Sequence, residues 1–134
     1  MFECLIMGDS LAVGTSYFRK ECTTIAKSGI NSEKYLTDYT SDVPFNTKTA
    51  IISLGSNDTP NIDTYENVLK LRKKINAQKV YWILPAIKEW KRKHVWMVAH
   101  EFGDSIIDPK SVPMSPDHVH PTFKGYRELA EETK

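Results

Sequence analysis

The sequence predicts an α/β protein, a three-layer α/β/α sandwich with about five parallel strands. Short apolar runs alternate with amphipathic patterns along all 134 residues, which is the order expected of repeated β-α-β units. Two of the apolar runs, AIISL and VYWIL, lack polar alternation, and such strands suit a sheet covered by helices on both faces. We therefore expect one domain that spans residues 1–134.

Five apolar runs are predicted as strands. They cover residues 2–7, 23–26, 50–54, 80–84 and 105–108. Five segments with apolar residues three or four positions apart are predicted as helices. They cover residues 10–19, 31–39, 63–76, 87–101 and 121–131. Asn31 or Ser32 is expected to cap the second helix, and Pro121 and Thr122 to open the last.

The composition argues against several classes of partner. Hydrophobic residues make up 40% of the chain, and the net charge of +1 gives no general attraction to nucleic acid or to anionic membranes. No apolar run approaches the ~18 residues of a membrane span. The chain starts Met1-Phe2-Glu3 without a basic segment or cleavage site, so we interpret it as cytoplasmic when synthesised. Association with a phage or virion stays open, and the sequence does not indicate an oligomeric state.

The two cysteines have no zinc-site spacing. Cys4 lies in a predicted strand and is interpreted as a buried small hydrophobic residue. A Cys4–Cys22 disulfide would require two neighbouring strands to bring the residues close together. The basic residues 88–94 are interpreted as the solvated face of a helix with Trp90 turned inward, and binding of an anionic glycan or nucleic acid is the alternative.

Small and polar residues follow the first three predicted strands and precede the last helix. Because the carboxyl ends of parallel strands meet at one edge of a sheet, we expect these groups to lie together. Ser10 could cap a helix or act as a nucleophile, and His120, with Asp117 three residues before it, could act as its base. Gly29 could offer a backbone N–H, and Asn57 a side-chain N–H, to a developing oxyanion.

Supporting roles follow from the same positions. Asp9 is expected to be a structural hydrogen-bond partner below the site, and Asp58 to brace the loop after the third strand. Gly8 is interpreted as space for a substrate, and Gly14 as a close contact between helix and sheet. A metal site is not expected, because neighbouring residues in the turn around His118 diverge and no further ligand cluster supports them.

Four sequence blocks occur in an order that resembles the SGNH/GDSL hydrolase family. They are Gly8-Asp9-Ser10-Leu11, Gly29, Gly55-Ser56-Asn57-Asp58 and Asp117-His118-Val119-His120-Pro121-Thr122. The resemblance implies a flavodoxin-like fold and ester hydrolysis without a metal or other cofactor. It also implies that Ser10 is the nucleophile, that His120 is the base and that Asp117 orients it. The Ser10 and Gly29 N–H groups and the Asn57 side chain would form the oxyanion hole.

About sixty residues separate the third block from the last, which is short for this family. We therefore expect a shallow, open site and a small-molecule or glycan ester as the substrate, with a short acyl group such as acetyl. The alternatives are a non-catalytic module that binds a glycan or partner on the same fold, and a thioesterase or lysophospholipase-like activity.

Overall fold

Five parallel strands form the central sheet of the computed structural model, which describes residues 1–41 and 45–134. The strands are β1 (Phe2–Gly8), β2 (Thr23–Ala26), β3 (Phe45–Ser53), β4 (Ile75–Ile83) and β5 (Ser105–Ile107). Their order in the sheet is β2-β1-β3-β4-β5, and every neighbouring pair is parallel. The predicted α/β fold with about five parallel strands is confirmed.

Helices cover both faces of this sheet. They are α1 (Ser10–Ser16), α2 (Ser32–Tyr39), α3 (Thr64–Lys73), α4 (Glu89–Phe102) and α5 (Phe123–Glu132), with a 3₁₀ turn at Pro109–Ser111. One apolar core lies under α2, α3 and α4 and includes the buried Trp82. The other lies under α1 and α5 and includes the buried Leu129. The three layers are those of a flavodoxin-like sandwich.

Polar side chains before four of the helices accept hydrogen bonds from the first turn. Asn31 accepts from the Lys34 N–H at 2.7 Å, and Thr122 accepts from the Gly125 N–H at 3.1 Å. These are the caps that the sequence predicts, because a side-chain oxygen there satisfies an N–H with no partner inside the helix. The cap of α1 is Asp9, so Ser10 is the first residue of that helix and its hydroxyl is not needed as a cap.

Two strands begin about five residues earlier than predicted. β3 starts at Phe45 and β4 at Ile75, in the mostly polar segments FNTKT and INAQK, which lack a continuous apolar run. Phe45 pairs with Ile75, so the two extensions stabilise each other. The prediction that a helix continues to residue 76 is wrong, because α3 ends at Lys73. α1 is also shorter than predicted and ends at Ser16.

Cys4 and Cys22 form a disulfide, so the interpretation of Cys4 as an unpaired hydrophobic residue is wrong. The pairing of Leu5 with Thr23 aligns β1 and β2, and this alignment sets the two preceding cysteines side by side. Their Cα atoms are 4.8 Å apart, within the range that a disulfide spans. The predicted burial of Cys4 is correct.

The basic segment at residues 88–94 is only partly a solvated face. Lys88 and Lys93 are exposed, but Lys91 and Arg92 are half-buried. Lys91 donates to the Ser56 carbonyl at 2.8 Å, and Arg92 forms an ion pair with Asp108. Within the described residues, none of the helices is long and apolar enough to cross a membrane.

Candidate active site

The turns after β1, β2 and β3 are tied together by backbone hydrogen bonds. The Asp9 N–H donates to the Ser53 carbonyl at 2.9 Å, and the Lys27 N–H donates to the Gly8 carbonyl at 2.9 Å. β1 lies between β2 and β3 in the sheet, so the turn that carries Ser10 has the turn after β2 on one side and the turn after β3 on the other. This arrangement puts three of the four sequence blocks at one edge.

Ser10 is joined to the fourth block by a hydrogen bond. Its Oγ lies 2.9 Å from Nε2 of His120, across 110 residues of sequence. Ser10 stands at the first turn of α1, where backbone N–H groups have no partner inside the helix. The hydroxyl therefore lies between a ring nitrogen and the positive end of a helix.

The loop before α5 holds His120 through Asp117. Oδ2 of Asp117 lies 2.7 Å from Nδ1 of His120, and its Oδ1 accepts from the Val119 and His120 N–H groups at 2.9 and 3.0 Å. The hydrogen bond with His120 and these two backbone bonds hold the pKa of Asp117 well below its usual range. Asp117 can therefore fix the imidazole with its proton on Nδ1, which leaves Nε2 free to accept a proton.

The site is open to solvent on this side. The side chains of His120 and Asp117 are 41% and 50% exposed. His118, between them, is exposed and has a φ of 59°, which lets the chain turn sharply between the two residues. In the described part of the chain, the one cluster with three possible metal ligands is Cys4, Glu21 and Cys22, whose two sulfur atoms are bonded to each other.

Gly29 and Asn57 lie beside each other in the turns after β2 and β3. The Asn57 side-chain amide donates to the carbonyl of Ile30, the residue after Gly29, at 3.0 Å. Gly29 has a φ of 82°, and no atom lies within 4 Å of the position that a Cβ would take. The backbone of Gly29 is therefore open to a ligand, and one hydrogen of the Asn57 amide remains beyond its bond to Ile30.

Asp9 supports this edge from below, as the sequence predicts. It is fully buried, and its Oδ1 accepts from the Leu11 N–H at 3.1 Å and from the Ser53 hydroxyl at 2.8 Å. Burial raises the pKa of Asp9 to about 6, against the lowering effect of these hydrogen bonds and of His120. Ser53 is a supporting residue that the sequence analysis missed, although it is the one polar residue in the run AIISL.

Asp58 braces the neighbouring loop, also as predicted. Its carboxylate accepts from the Ser32 N–H at 2.8 Å, from the Ser32 hydroxyl at 2.6 Å and from the Thr64 hydroxyl at 2.6 Å. The side chain is buried, so these bonds offset the cost of removing its oxygens from water. Ser32 and Thr64 start α2 and α3, and Asp58 therefore fixes the turn of Asn57 to both helices.

Two glycines have other roles than those predicted. A Cβ on Gly8 would lie 1.8 Å from the Ser53 carbonyl oxygen, so this glycine permits the close approach of β3 and does not make room for a substrate. A Cβ on Gly14 would lie 2.4 Å from the Tyr126 ring, so this contact joins two helices and not a helix and the sheet. Both contacts join segments that are distant in the sequence.

Solved structures with the same fold are described as esterases and lipases. A carbohydrate acetylesterase from Sinorhizobium meliloti is 15% identical with a TM-score of 0.58, and the match covers 98% of each chain. A phospholipase A1 from Streptomyces albidoflavus NA297 is 13% identical with a TM-score of 0.62, and the match covers 99% of each chain. A protein from Desulfitobacterium hafniense DCB-2, described as a lipolytic protein of the G-D-S-L family, is 14% identical with a TM-score of 0.62 over 96% of each chain.

The protein has the flavodoxin-like α/β/α fold that these esterases and lipases share. The matches extend over almost the whole of each chain. No protein-family model and no curated protein sequence matches the chain. With identities this low, the fold is what the structures establish, and the roles of individual residues rest on the geometry of this site.

Proposed function

We propose that the protein is a serine ester hydrolase in which Ser10 is the nucleophile, His120 the general base and Asp117 the residue that orients the base. The observation that supports this most directly is the continuous hydrogen-bonded line from Ser10 Oγ through His120 to Asp117, at 2.9 and 2.7 Å. Ser10 and His120 are 110 residues apart in the sequence, so their contact is made by the packing of distant segments. A solvated loop without a catalytic role would not require these two consecutive hydrogen bonds.

The chemistry follows from these positions. Nε2 of His120 accepts the hydroxyl proton while Oγ of Ser10 attacks the ester carbonyl, and Asp117 stabilises the imidazolium that forms. The tetrahedral intermediate then collapses, and His120 returns the proton to the departing alcohol. Water then attacks the acyl carbonyl on Ser10 while His120 takes one of its protons. The second tetrahedral intermediate collapses as His120 returns that proton to Oγ of Ser10, which releases the acid. Side chains and backbone groups carry every step, with no metal or cofactor in the proposed pathway.

The oxyanion of each tetrahedral intermediate would be bound by the N–H groups of Ser10 and Gly29 and by the Asn57 side chain. Three features support this assignment: Ser10 lies at a helix N-terminus, Gly29 has an open backbone, and Asn57 is bonded to the turn of Gly29. Such donors stabilise the transition state more than the ground state, because the negative charge on the oxygen develops during the reaction.

A short acyl group, acetyl in particular, fits the proposed site best. The base and its partner are about half exposed, and the chain has no long insertion between Asp58 and Asp117 that could enclose an extended acyl chain. A carbohydrate acetylesterase is among the proteins with this fold, which makes an acetylated glycan or sugar a suitable natural substrate to test. A phospholipase A1 shares the fold too, so longer acyl groups belong in the same comparison.

The alternatives make different predictions. A non-catalytic binding module would have no use for a serine within 2.9 Å of a histidine that a carboxylate orients, so this geometry favours an enzyme. A thioesterase or lysophospholipase-like enzyme would use the same three residues. Only the preference among substrates separates these activities from that of an acetylesterase.

The test is a substrate panel with a matched pair of variants. Initial rates would be measured on acetyl, butyryl and octanoyl aryl esters, on an aryl thioester and on acetylated sugars. Ser10→Ala is expected to abolish turnover, while Ser16→Ala, at the other end of α1, retains it. Circular dichroism and thermal unfolding would show that both variants are folded. Turnover that survives Ser10→Ala would refute the nucleophile, and a wild-type protein inactive on every ester would favour the binding module.

A further inference from the structure

A cavity of about 190 Å³ lies beside the turn of Gly29. Its lining consists of Lys27, Ser28, Gly29, Ile30, Asn31, Lys34 and Asp38. Gly29 belongs to both this cavity and the proposed oxyanion hole, so an ester whose oxyanion is bound by the Gly29 N–H would have the cavity next to its ester group. The volume suits a small substituent and not a long chain.

Two lysines dominate the charge of this cavity. Lys27 and Lys34 are exposed, and Lys27 makes no ion pair with any residue that the structure describes. The one carboxylate in the lining, Asp38, lies 3.8 Å from the Lys34 ammonium, with side chains 42% and 68% exposed. A contact this long between exposed groups compensates Lys34 only weakly.

The backbone of the same turn adds hydrogen-bond donors. The Lys27 N–H is used by the Gly8 carbonyl and the Ile30 N–H by the Lys27 carbonyl. The N–H groups of Ser28 and Gly29, between them, have no acceptor among residues 1–41 and 45–134. The buried Asp58, which lies next to this turn, is already bonded to the Ser32 N–H and hydroxyl and to the Thr64 hydroxyl. The cavity therefore offers positive charge and donors to whatever enters it.

We propose that this cavity selects esters that carry a negative charge close to the scissile bond, such as a carboxylate, with Lys27 and Lys34 as the residues that determine specificity. The inference rests on the proposed ester hydrolysis and names the class of substrate for it. The charge can belong to the alcohol part or to the acyl part of the ester, since both adjoin the oxyanion hole. In either position the ammonium groups would attract it through a Coulomb interaction that salt weakens.

The test compares charged and neutral esters of similar shape. For the alcohol part the pair is 4-acetoxybenzoate and phenyl acetate, and for the acyl part it is phenyl hydrogen succinate and phenyl butyrate, with the uncatalysed rate subtracted. The kcat/KM ratio of charged to neutral ester would be measured for the wild type and for a Lys27→Gln/Lys34→Gln variant. The control is Lys20→Gln/Lys48→Gln, which removes the same charge from exposed lysines away from the cavity.

We expect Lys27→Gln/Lys34→Gln to lower this ratio roughly fivefold for at least one pair at low salt, the effect of losing two exposed ion pairs. The control should change it less than twofold. The pair that responds identifies the part of the ester that bears the charge. A ratio that changes equally in both variants, or in neither, would overturn the proposal, because the selection would then be absent or would come from net charge alone.

A binding measurement separates this proposal from the proposed function. In Ser10→Ala protein, the charged ester of at least one of the two pairs should shift the backbone amide NMR signals of Ser28 and Gly29 more than its neutral counterpart does. The additional Lys27→Gln/Lys34→Gln change should remove that difference. Turnover of neutral esters without this selective binding would refute the cavity's role and leave the hydrolase intact. Selective binding without turnover of any ester would refute the hydrolase and support the cavity as an anion site.

Discussion

Oδ2 of Asp117 lies 2.7 Å from Nδ1 of His120, and its Oδ1 holds the backbone of the same turn. The Asp117 carboxylate therefore fixes both the position of the His120 imidazole and its tautomer. These two effects can be separated by a substitution that keeps the shape of the side chain.

Asp117→Asn is expected to lower kcat by on the order of 10³-fold or more, with little change in the thermal midpoint. The amide oxygen can still accept from the backbone, but its NH₂ group would donate to Nδ1 of His120. The proton would then move to Nε2, which could no longer accept from Ser10. Esterase kinetics and thermal unfolding check this prediction. A loss of less than tenfold in kcat would show that Asp117 does not set the tautomer.

Asn57→Ala is expected to lower kcat on short esters about 10²-fold, which is typical for the loss of one oxyanion donor. KM should change much less, because the lost hydrogen bond strengthens only in the transition state. Asn76→Ala is the matched control, since Asn76 is bonded to Asn46 at the start of β4, far from the turns of the site. A purely structural role for Asn57 would appear as a lower thermal midpoint with an unchanged kcat.

The buried Asp9 predicts a pH dependence of stability. Its pKa is raised from 3.8 to about 6, so the folded protein binds its proton more tightly than the unfolded chain does. The stabilising contribution is complete below pH 3.8 and is lost as the pH rises through about 6, a change of ~3 kcal/mol. Asp9→Asn lacks this titration. Its free energy of unfolding, measured in urea, should therefore gain ~3 kcal/mol relative to the wild type between about pH 3.5 and 7.

Two results of that experiment matter separately. A constant difference between Asp9→Asn and the wild type across this range would mean that Asp9 does not titrate with a raised pKa. If the difference in free energy of unfolding shows the expected pH dependence plus a constant shift, the shift would report the different hydrogen bonds of asparagine. Oδ2 of Asp9 has no partner within the described residues, and an amide nitrogen would take its place.

The Cys4–Cys22 disulfide is expected to contribute about 3 kcal/mol to stability, given the sequence separation of 18 between its two cysteines. Reduction of the wild type should lower the free energy of unfolding by this amount, and Cys4→Ala/Cys22→Ala should unfold at the same denaturant concentration with or without reductant. Since the bridge lies near the start of β1 and the site at its end, kcat should not change. A wild-type midpoint unaffected by reductant would contradict the predicted contribution.

Gly8→Ala is expected to destabilise the fold by about 3 kcal/mol or more. The φ of Gly8 is 129°, and the added Cβ would lie 1.8 Å from the Ser53 carbonyl oxygen. That oxygen belongs to the backbone of β3, which can move away only by disturbing the sheet. Gly103→Ala is the control: Gly103 ends α4 at a φ of 68° with open space around it, so its cost should be about 1 kcal/mol. Equal effects of the two substitutions, measured by urea unfolding, would refute the steric argument.

Local patterns in the sequence were enough for the core of the fold. The continuous runs around Ile51 and Trp82 indicated strands buried on both faces, and the caps at Asn31 and Thr122 marked helix starts. The predicted starts of β3 and β4 were wrong, because the opening segments of these strands are only partly buried. The segments that begin at Phe45 and Ile75 are mostly polar, and each becomes a strand because it pairs with the other. A sequence window contains only one of the two partners.

The candidate site was predictable for a similar reason. Parallel strands present their carboxyl ends at one edge, so Ser10, Gly29 and Asn57 had to meet once each was placed after a strand. The sequence by itself therefore determined the layers, the chemically distinctive edge and the residues that stand there.

Only the tertiary structure decided how distant segments fit against one another. The register of β1 and β2 paired Cys4 with Cys22, and the contact of α1 with α5 gave Gly14 its role. The conformation of the turn between β2 and α2 placed Lys27 and Lys34 around one cavity next to Gly29. The physical reason is that periodicity specifies which face of an element is buried, whereas strand alignment and disulfide pairing depend on atoms that other segments supply.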